Sequence, residues 1–175
     1  MSRIFRRLAS TSSGTSASEA ASEILQRYSG KPVSVREQIL DANQLRLLNV
    51  TLRRDTLHKS VKLDSDGAPV NGTPIPPGYN LVYFTPKMYD KDLGVDGTDV
   101  VVNPLRPWTR RMWAGGTLEW TQDPSRILRV GQTVKETTEV TSAEEKTMRS
   151  GDSMILAGVI KTFENENGVA LVDRR

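Results

Sequence analysis

The sequence predicts an α+β domain in which an antiparallel sheet follows one long helix. Three observations carry this prediction. Good helix formers run without Gly or Pro from Val35 to Leu52. From Gly116 onward, short segments alternate or are rich in threonine and valine, and the stretch from Met154 to Phe163 is almost continuously apolar. Alternation and β-branched residues favour strands, whereas an uninterrupted run of this length favours a helix.

The helix prediction rests on its proposed first turn. Ser34 and Glu37 have the spacing of a capping box, in which the two side chains satisfy free amides at a helix start. Apolar residues then recur up to Leu52 on more than one stripe, which indicates packing on two sides. We therefore expect a helix over residues 35–52.

Turn-forming residues divide the rest of the chain. Residues 64–80 are dense in Asp, Asn, Gly and Pro and predict a loop with a stiff Pro-Pro piece. The predicted strands cover residues 117–120, 133–140 and 154–163, and the hairpin signal Asn165–Gly168 leads into a returning strand at 169–172. Because the sequence stops at Arg175, we expect this last strand to be incomplete, with the sheet completed by another chain or the sequence truncated.

The amino-acid composition limits the kinds of functional site that the chain can form. The 175 residues are 37% hydrophobic and 26% charged, which is ordinary for a globular domain. Cysteine is absent, which excludes disulfides, thiolate zinc sites and cysteine nucleophiles, and a single histidine leaves little room for a histidine metal site. We expect no metal, no cofactor and no membrane span, since no apolar run approaches about 20 residues.

The basic charge is confined to the start of the chain. Arg3, Arg6 and Arg7 lie in residues 1–18, which contain no acid, and removing them from the 24 basic residues leaves 21 against 21 acidic ones. The rest of the chain is therefore neutral, and we expect no nucleic-acid partner. A serine-rich, arginine-containing, acid-free start is typical of a mitochondrial transit peptide, which predicts the mitochondrial matrix, or of a disordered tail. We expect a linker at 19–32 and one domain at 33–175.

Three stretches together resemble one family. They are Pro76–Phe84 (PPGYNLVYF), Gly94–Asp99 (GVDGTD) and, most specific, Arg110–Gly116 (RRMWAGG). In this order and spacing, residues 33–173 resemble the N-terminal domain of mitochondrial hydroxyacyl-thioester dehydratase type 2. The pattern is also similar to that of mesaconyl-CoA hydratases, which share a MaoC-like double hot-dog architecture.

The resemblance implies both a fold and a reaction. The fold is a hot-dog, an antiparallel sheet wrapped around a helix, with two such units sharing one continuous sheet. The reaction is that of a hydro-lyase in mitochondrial fatty acid biosynthesis, the reversible dehydration of a (3R)-hydroxyacyl thioester to the trans-2-enoyl thioester. The implied substrate is an acyl thioester of acyl carrier protein or of coenzyme A.

Such a dehydration needs a base for the α-proton and an acid for the departing hydroxyl group. The family supplies them as an Asp and a His five positions apart in the C-terminal hot-dog. Here the residue five positions before His58 is Arg53, and Asp55 stands only three before it, on a predicted helix end or loop. We therefore expect His58 to be a surface or capping residue, no catalytic residue in this chain, and the motif downstream of residue 175. The chain alone is then inactive.

What remains is a contribution to substrate binding. The arginines and tryptophan of the third motif can shape a thioester tunnel or contact a phosphate, with glycines allowing close backbone approach. Packing and ion pairing explain the same residues without a ligand. The Pro-Pro pair is expected to form a wall of the acyl channel, or simply a stiff turn. The candidate substrate-binding residues are Arg110, Arg111, Trp113, Gly115, Gly116, Pro76 and Pro77.

Two other functions compete with the enzyme half. The chain can be a non-catalytic hot-dog module that binds an acyl thioester, a second hot-dog domain or a second copy as a homodimer. It can also be a hot-dog thioesterase that uses Asp41 or Glu37. Capping of the predicted helix explains Glu37 without a function.

Overall fold

The order of elements alternates short helices with strands and ends in three consecutive hairpin-linked strands. The structure is a computed structural model that describes residues 15–58, 61–62, 67–104, 108 and 111–175, with the backbone alone at residues 58, 61 and 62. The elements are α1 (Ala17–Arg27), β1 (Ser34–Ile39), α2 (Ala42–Thr51), β2 (Thr56–His58), β3 (Val61–Lys62), two 3-10 helices (Tyr79–Val82 and Asp90–Asp92), β4 (Thr117–Trp120), β5 (Thr133–Thr147), β6 (Ser153–Asn165) and β7 (Gly168–Arg174).

Five strands form one antiparallel sheet in the order β1-β5-β6-β7-β4. Strands β2 and β3 pair separately. Helix α1 packs against β5 and β6, and α2 packs against the first 3-10 helix and β2. This arrangement is an α+β hot-dog fold, as the sequence predicts.

The predicted strands in the second half of the chain are confirmed. Residues 117–120 form β4, residues 133–140 lie in β5, and residues 154–163 lie in β6. Strand β7 pairs with Ile160–Asn165 of β6 on one side and with the full length of β4 on the other, and the expectation of an incomplete last strand stays a prediction. Strand β7 is therefore an interior strand of the sheet.

The predicted helix over residues 35–52 is wrong in its first half. Ser34–Ile39 forms β1, which pairs residue by residue with β5 and alternates between half-buried and exposed side chains. Helix α2 starts only after Asp41, whose side chain accepts a hydrogen bond from the Gln44 amide at 3.0 Å. Pairing with β5 outweighs the modest local helix preference of this segment.

The capping box lies at α1 instead. Ser16 and Glu19 cap this helix reciprocally, with the Glu19 amide donating to Ser16 Oγ at 3.2 Å and the Ser16 amide donating to Glu19 Oε2 at 2.9 Å. Helix α1 covers most of the expected linker at 19–32 and begins before residue 18, where we placed the end of the tail. Its buried residues are Ala17, Ala20, Ala21 and Ile24. The first fourteen residues of the expected transit peptide lie outside the described residues.

The hydrophobic core joins α2 and the loop region to the sheet. Leu45 of α2 and Tyr79 of the first 3-10 helix share a cluster with Val134, Phe163 and Leu171 of the three central strands. Its other buried members are Leu40, Leu57, Ile75, Tyr83, Phe84, Leu128, Val130 and Ala170. This core brings the Pro76–Phe84 stretch onto the sheet and so positions the residues described next.

Candidate functional site

One row of directly opposed residues crosses the whole sheet. Arg36 on β1 faces Glu136 on β5, which faces Phe163 on β6. Phe163 faces Leu171 on β7, and Leu171 faces Trp120 on β4. Residues directly opposite each other project to the same face of a sheet. Two charged side chains therefore stand in line with core residues.

Glu136 is the most buried acid in the described part of the chain, with 1% of its surface exposed. Its Oε1 accepts hydrogen bonds from Arg36 Nη2 at 2.5 Å, from Arg36 Nε at 3.1 Å and from Thr138 Oγ1 at 3.3 Å. Its Oε2 lies 3.4 Å from Lys161 Nζ. Through Arg36 and Lys161, the Glu136 carboxylate ties β1, β5 and β6 together.

A second buried acid lies near the end of β7. Asp173 Oδ2 accepts hydrogen bonds from Arg175 Nη2 at 2.7 Å and from Arg175 Nε at 2.9 Å. The Arg175 guanidinium also lies over the Trp113 ring, 5.8 Å from its centre, in cation–π geometry. The buried Asp173 is therefore connected through Arg175 to Trp113 of the third motif.

Within that motif, the structure explains the two glycines differently. A Cβ at Gly116 would lie 2.5 Å from the Arg174 carbonyl oxygen and 2.8 Å from Trp113 Cη2, so the indole and the β7 backbone both require glycine there. Gly115 has φ 145°, which side-chain-bearing residues rarely adopt, and no atom lies within 4 Å of a Cβ built on it. Trp113 itself is 68% exposed.

The structure describes only one of the two arginines of this motif. Arg111 is exposed, and its Nη1 donates to the Asp99 carbonyl oxygen at 2.6 Å, which joins the second and third motifs. In the second motif, hydrogen bonds from Thr98 hold the pKa of the Asp96 carboxyl below its usual range. Arg110 lies outside the described residues, so its role stays a prediction.

Pro76 and Pro77 lie at the other end of the sheet. The Ile75 amide donates to the Leu128 carbonyl oxygen at 2.9 Å, next to the start of β5, whereas Gly116 lies beside the end of β7. The Pro76 carbonyl oxygen accepts from the Tyr79 amide at 3.1 Å and starts the first 3-10 helix. The structure therefore does not bring the Pro-Pro pair together with Trp113 and Gly116.

Two buried amides between α2 and the first 3-10 helix were missed by the sequence analysis. Asn49 is 1% exposed and Asn80 is 3% exposed. Within the described chain, neither the Oδ1 nor the Nδ2 atom of either side chain has a hydrogen-bond partner. Tyr83 anchors the same region by donating to the Asp41 carbonyl oxygen at 2.6 Å. Only the position of Asn80 inside a recognised motif offered a sequence signal.

The acids considered for catalysis have other surroundings. Asp55 is exposed just before β2, and His58 ends that strand, so the predicted helix end or loop is wrong for His58. The His58 side chain lies outside the described part. Asp41 caps α2, and exposed Glu37 lies on β1 and caps no helix, so our capping explanation for Glu37 is wrong.

Neither a metal site nor a membrane span is found in the described ranges. In these ranges, no three His, Cys, Asp or Glu side chains are grouped to hold a metal ion. Among the helices described, none has both the length and the apolar character needed to cross a bilayer.

Comparison with known proteins gives one family match. The model of the family described as hydroxyacyl-thioester dehydratase type 2 matches residues 78–175. This range covers more than half of the chain and contains the second and third motifs and strands β4 to β7. No curated protein matches the sequence.

Proposed function

The chain belongs to the hydroxyacyl-thioester dehydratase type 2 family, and on this premise we propose that it serves the reversible dehydration of a (3R)-hydroxyacyl thioester to the trans-2-enoyl thioester. The observation that carries this proposal is the family match over residues 78–175, which includes the Arg111–Gly116 segment and four of the five strands of the main sheet.

Within this reaction, the chain shapes the substrate site, and a second hot-dog domain supplies the acid and the base. The charge environment supports this division. Glu136 forms ion pairs with Arg36 and Lys161, and Asp173 forms one with Arg175, so both buried carboxylates are already engaged within this chain. The Asp-to-His spacing of five that the family uses does not occur at His58.

The substrate-contacting surface includes the exposed part of the third motif. Trp113 offers an exposed apolar face, and Arg111 offers an exposed guanidinium group. This pairing suits a thioester arm that carries both apolar groups and phosphate, since arginine binds phosphate in a forked geometry. Arg110 is proposed to act with them.

The acyl carrier is proposed to be acyl carrier protein or coenzyme A, and the proposed location is the mitochondrial matrix. Support comes from the family and from Arg3, Arg6 and Arg7 in an acid-free start. A fluorescent reporter fused to residues 1–18 should enter mitochondria, and the same fusion with all three arginines replaced by Gln should not. Equal import of the two fusions would contradict targeting by these arginines.

The deciding experiment measures hydration of a trans-2-enoyl-CoA by loss of the enoyl absorbance. Residues 15–175, which retain the α1 capping box, are assayed alone and with a separately made hot-dog domain of the family that contains the Asp-His motif. We expect no turnover by the chain alone and turnover by the mixture above that of the second domain alone. Turnover by the chain alone that His58→Ala or Asp55→Ala abolishes would contradict the division of labour.

A non-catalytic binding module is the second candidate. The ion pairing of both Glu136 and Asp173 favours it as well, because a binding module needs no free acid. Binding of the thioester without turnover, both by the chain alone and by the mixture, would favour this function.

A further inference from the structure

We propose that Trp113 is a stacking platform for the adenine base of a coenzyme A thioester, and that the exposed Arg111 beside it binds a phosphate group of the same carrier. This inference rests on the proposed function, because it names which of the two acyl carriers the third motif recognises. Acyl carrier protein holds the acyl group on a phosphopantetheine arm that has no nucleotide, so a site for adenine selects coenzyme A.

The indole of Trp113 is exposed and yet held in one orientation. It is 68% exposed, although tryptophan is on average a highly buried residue. Its benzo edge lies against Gly116, at a point where a Cβ would be 2.8 Å from Trp113 Cη2, and the Arg175 guanidinium lies over the ring, 5.8 Å from its centre. A ligand therefore reaches the exposed part of the ring without any movement of the chain.

The guanidinium over the ring is itself fixed by a buried acid. Arg175 donates to Asp173 Oδ2 from Nη2 at 2.7 Å and from Nε at 2.9 Å, and Asp173 is only 3% exposed. The cation thus has a defined place over the indole. A flat group that stacks on the exposed part of the indole would continue an ordered stack of guanidinium, indole and ligand.

The flat shape of the indole favours a flat partner. Every nucleobase has a π-face that stacks on an aromatic side chain. The acyl chain and the pantetheine arm are flexible and not planar, so adenine is the flat ring that an acyl thioester of coenzyme A offers. The exposed position of Trp113 also suits the nucleotide, which is the end of the carrier farthest from the reacting acyl group.

The charges beside the indole favour the phosphate groups of the same nucleotide. Arg111 precedes Trp113 by two residues and is exposed, and its Nη1 donates to the Asp99 carbonyl oxygen at 2.6 Å. A carbonyl oxygen is uncharged, so this hydrogen bond leaves the positive charge of Arg111 in place. The acids of β4 and β7, Glu119 and Asp173, each form an ion pair with an arginine of β7. A forked guanidinium group is well suited to phosphate.

The test measures, by calorimetry, binding of coenzyme A and of phosphopantetheine to the full chain. We expect coenzyme A to bind about tenfold more tightly, because phosphopantetheine lacks the adenosine. In Trp113→Ala, the affinity for coenzyme A should fall about tenfold, whereas the affinity for phosphopantetheine should not change. Loss of the indole and loss of the adenosine are then not additive, which indicates a direct contact between the two.

Met112→Ala is the matched control. Met112 is 74% exposed and directly precedes Trp113, but it offers no aromatic face. This variant should bind coenzyme A as the unsubstituted chain does. A loss of affinity equal to that of Trp113→Ala would overturn the platform, because the effect would then belong to the whole segment.

Arg111→Gln tests the phosphate contact. We expect the affinity for coenzyme A to fall about fivefold or more and to become less dependent on salt. Dephospho-coenzyme A, which lacks the ribose phosphate, distinguishes the two kinds of phosphate. If Arg111 binds the ribose phosphate, the variant loses the preference for coenzyme A over dephospho-coenzyme A; if it binds the diphosphate, both ligands weaken equally. Unchanged affinity for both would overturn the role of Arg111.

The comparison of ligands keeps the proposal testable where Trp113→Ala does not fold. Equal affinity of the unsubstituted chain for coenzyme A and phosphopantetheine would overturn the adenine site without any variant. An exposed tryptophan also suits a protein interface. If the two ligands bind equally and Trp113→Ala weakens association with the second hot-dog domain, the ring belongs to that interface and the proposal is wrong.

Failure of the adenine site and failure of the proposed function have different results. If only the adenine site is wrong, the mixture with the second hot-dog domain hydrates enoyl thioesters of coenzyme A and of phosphopantetheine with the same KM. If the proposed function is wrong, neither thioester is hydrated, and binding of coenzyme A to the chain still reports on Trp113 by itself.

Discussion

The indole of Trp113 lies directly against Gly116, at a point where a Cβ would approach Trp113 Cη2 to 2.8 Å and the Arg174 carbonyl oxygen to 2.5 Å. Gly116→Ala must therefore displace the ring, the end of β7, or both. Overpacking of this kind lowers the free energy of unfolding by about 1–3 kcal/mol. Urea denaturation measures the loss, and tryptophan emission reports movement of the ring.

Comparison of Gly115→Ala with Gly116→Ala distinguishes the effect of backbone strain from the effect of lack of space. No atom lies within 4 Å of a Cβ at Gly115, but φ 145° is unfavourable for alanine. We expect Gly115→Ala to reduce stability without changing the emission of Trp113. Equal spectral shifts in the two variants would show that the emission reports general loosening rather than contact with Gly116.

Loss of the Glu136 carboxylate should lower the free energy of unfolding more than loss of a half-buried acid on the neighbouring strand. Glu136→Ala leaves Arg36 and Lys161 without their shared anion, which lowers stability by about 2 kcal/mol, since both cations are only partly exposed. Glu164→Ala removes the partner of Lys135 in a pair open to solvent, and the expected loss is below about 1 kcal/mol. Similar losses of stability in the two variants would show that the burial of Glu136 makes no additional contribution to stability.

Tyr83 should make stability fall in alkaline solution. Burial, and then the nearby Asp41 carboxylate, raise the pKa of the Tyr83 hydroxyl well above its usual value of about 10. The unfolded chain therefore releases this proton at lower pH than the folded chain, and stability present below pH ~10 is lost as pH rises above it. Tyr83→Phe should weaken the decline between pH 9 and 11 in denaturation experiments.

The same variant also loses the hydrogen bond to the Asp41 carbonyl oxygen, which lowers stability near neutral pH by about 1 kcal/mol. Tyr28→Phe is the comparison, because this half-buried tyrosine also donates to a backbone carbonyl oxygen, that of Val101. An unchanged alkaline slope in Tyr83→Phe would assign the decline to other groups.

Helix α1 contributes to the fold through a single buried stripe. Ile24 is 1% exposed, whereas the adjacent Leu25 is 40% exposed. Ile24→Ala should lower the free energy of unfolding by about 2–4 kcal/mol, and Leu25→Ala by much less. If both variants were equally mild in guanidinium denaturation, α1 would be dispensable for the sheet.

The local sequence predicted the second half of the fold better than the first. Strands β5 and β6 follow each other through tight turns, so β-branched runs and turn residues identify them without knowledge of distant partners. Strand β1 pairs instead with β5, about 100 residues away, and its Ser34-to-Glu37 spacing imitates a helix start. The true capping box at Ser16 was hidden because it lies in a serine-rich stretch that resembles a tail.

The candidate site was predicted only in part. The structure explains Gly116 by its contact with Trp113, whereas the close backbone approach at a thioester tunnel that we expected of the two glycines stays a prediction. Glu136 was missed, although it shares the alternation of Val134 and Thr138 on the buried face of β5. The cations that pair with its carboxylate lie on other strands, so no local sequence pattern indicates these ion pairs. Asn49 was missed because no local pattern in α2 indicates that this polar side chain is buried.

The strand order also dictates how the chain must fold. Strands β5, β6 and β7 are joined by short turns, whereas β1 must close a loop of about 100 residues before Arg36 reaches Glu136. Closing a long loop costs entropy before any contact offsets it, and non-local pairing slows folding. We therefore expect the three-stranded meander to form early and β1 to join it late. Until β1 arrives, Glu136 has Lys161 as its only cationic partner among the described residues.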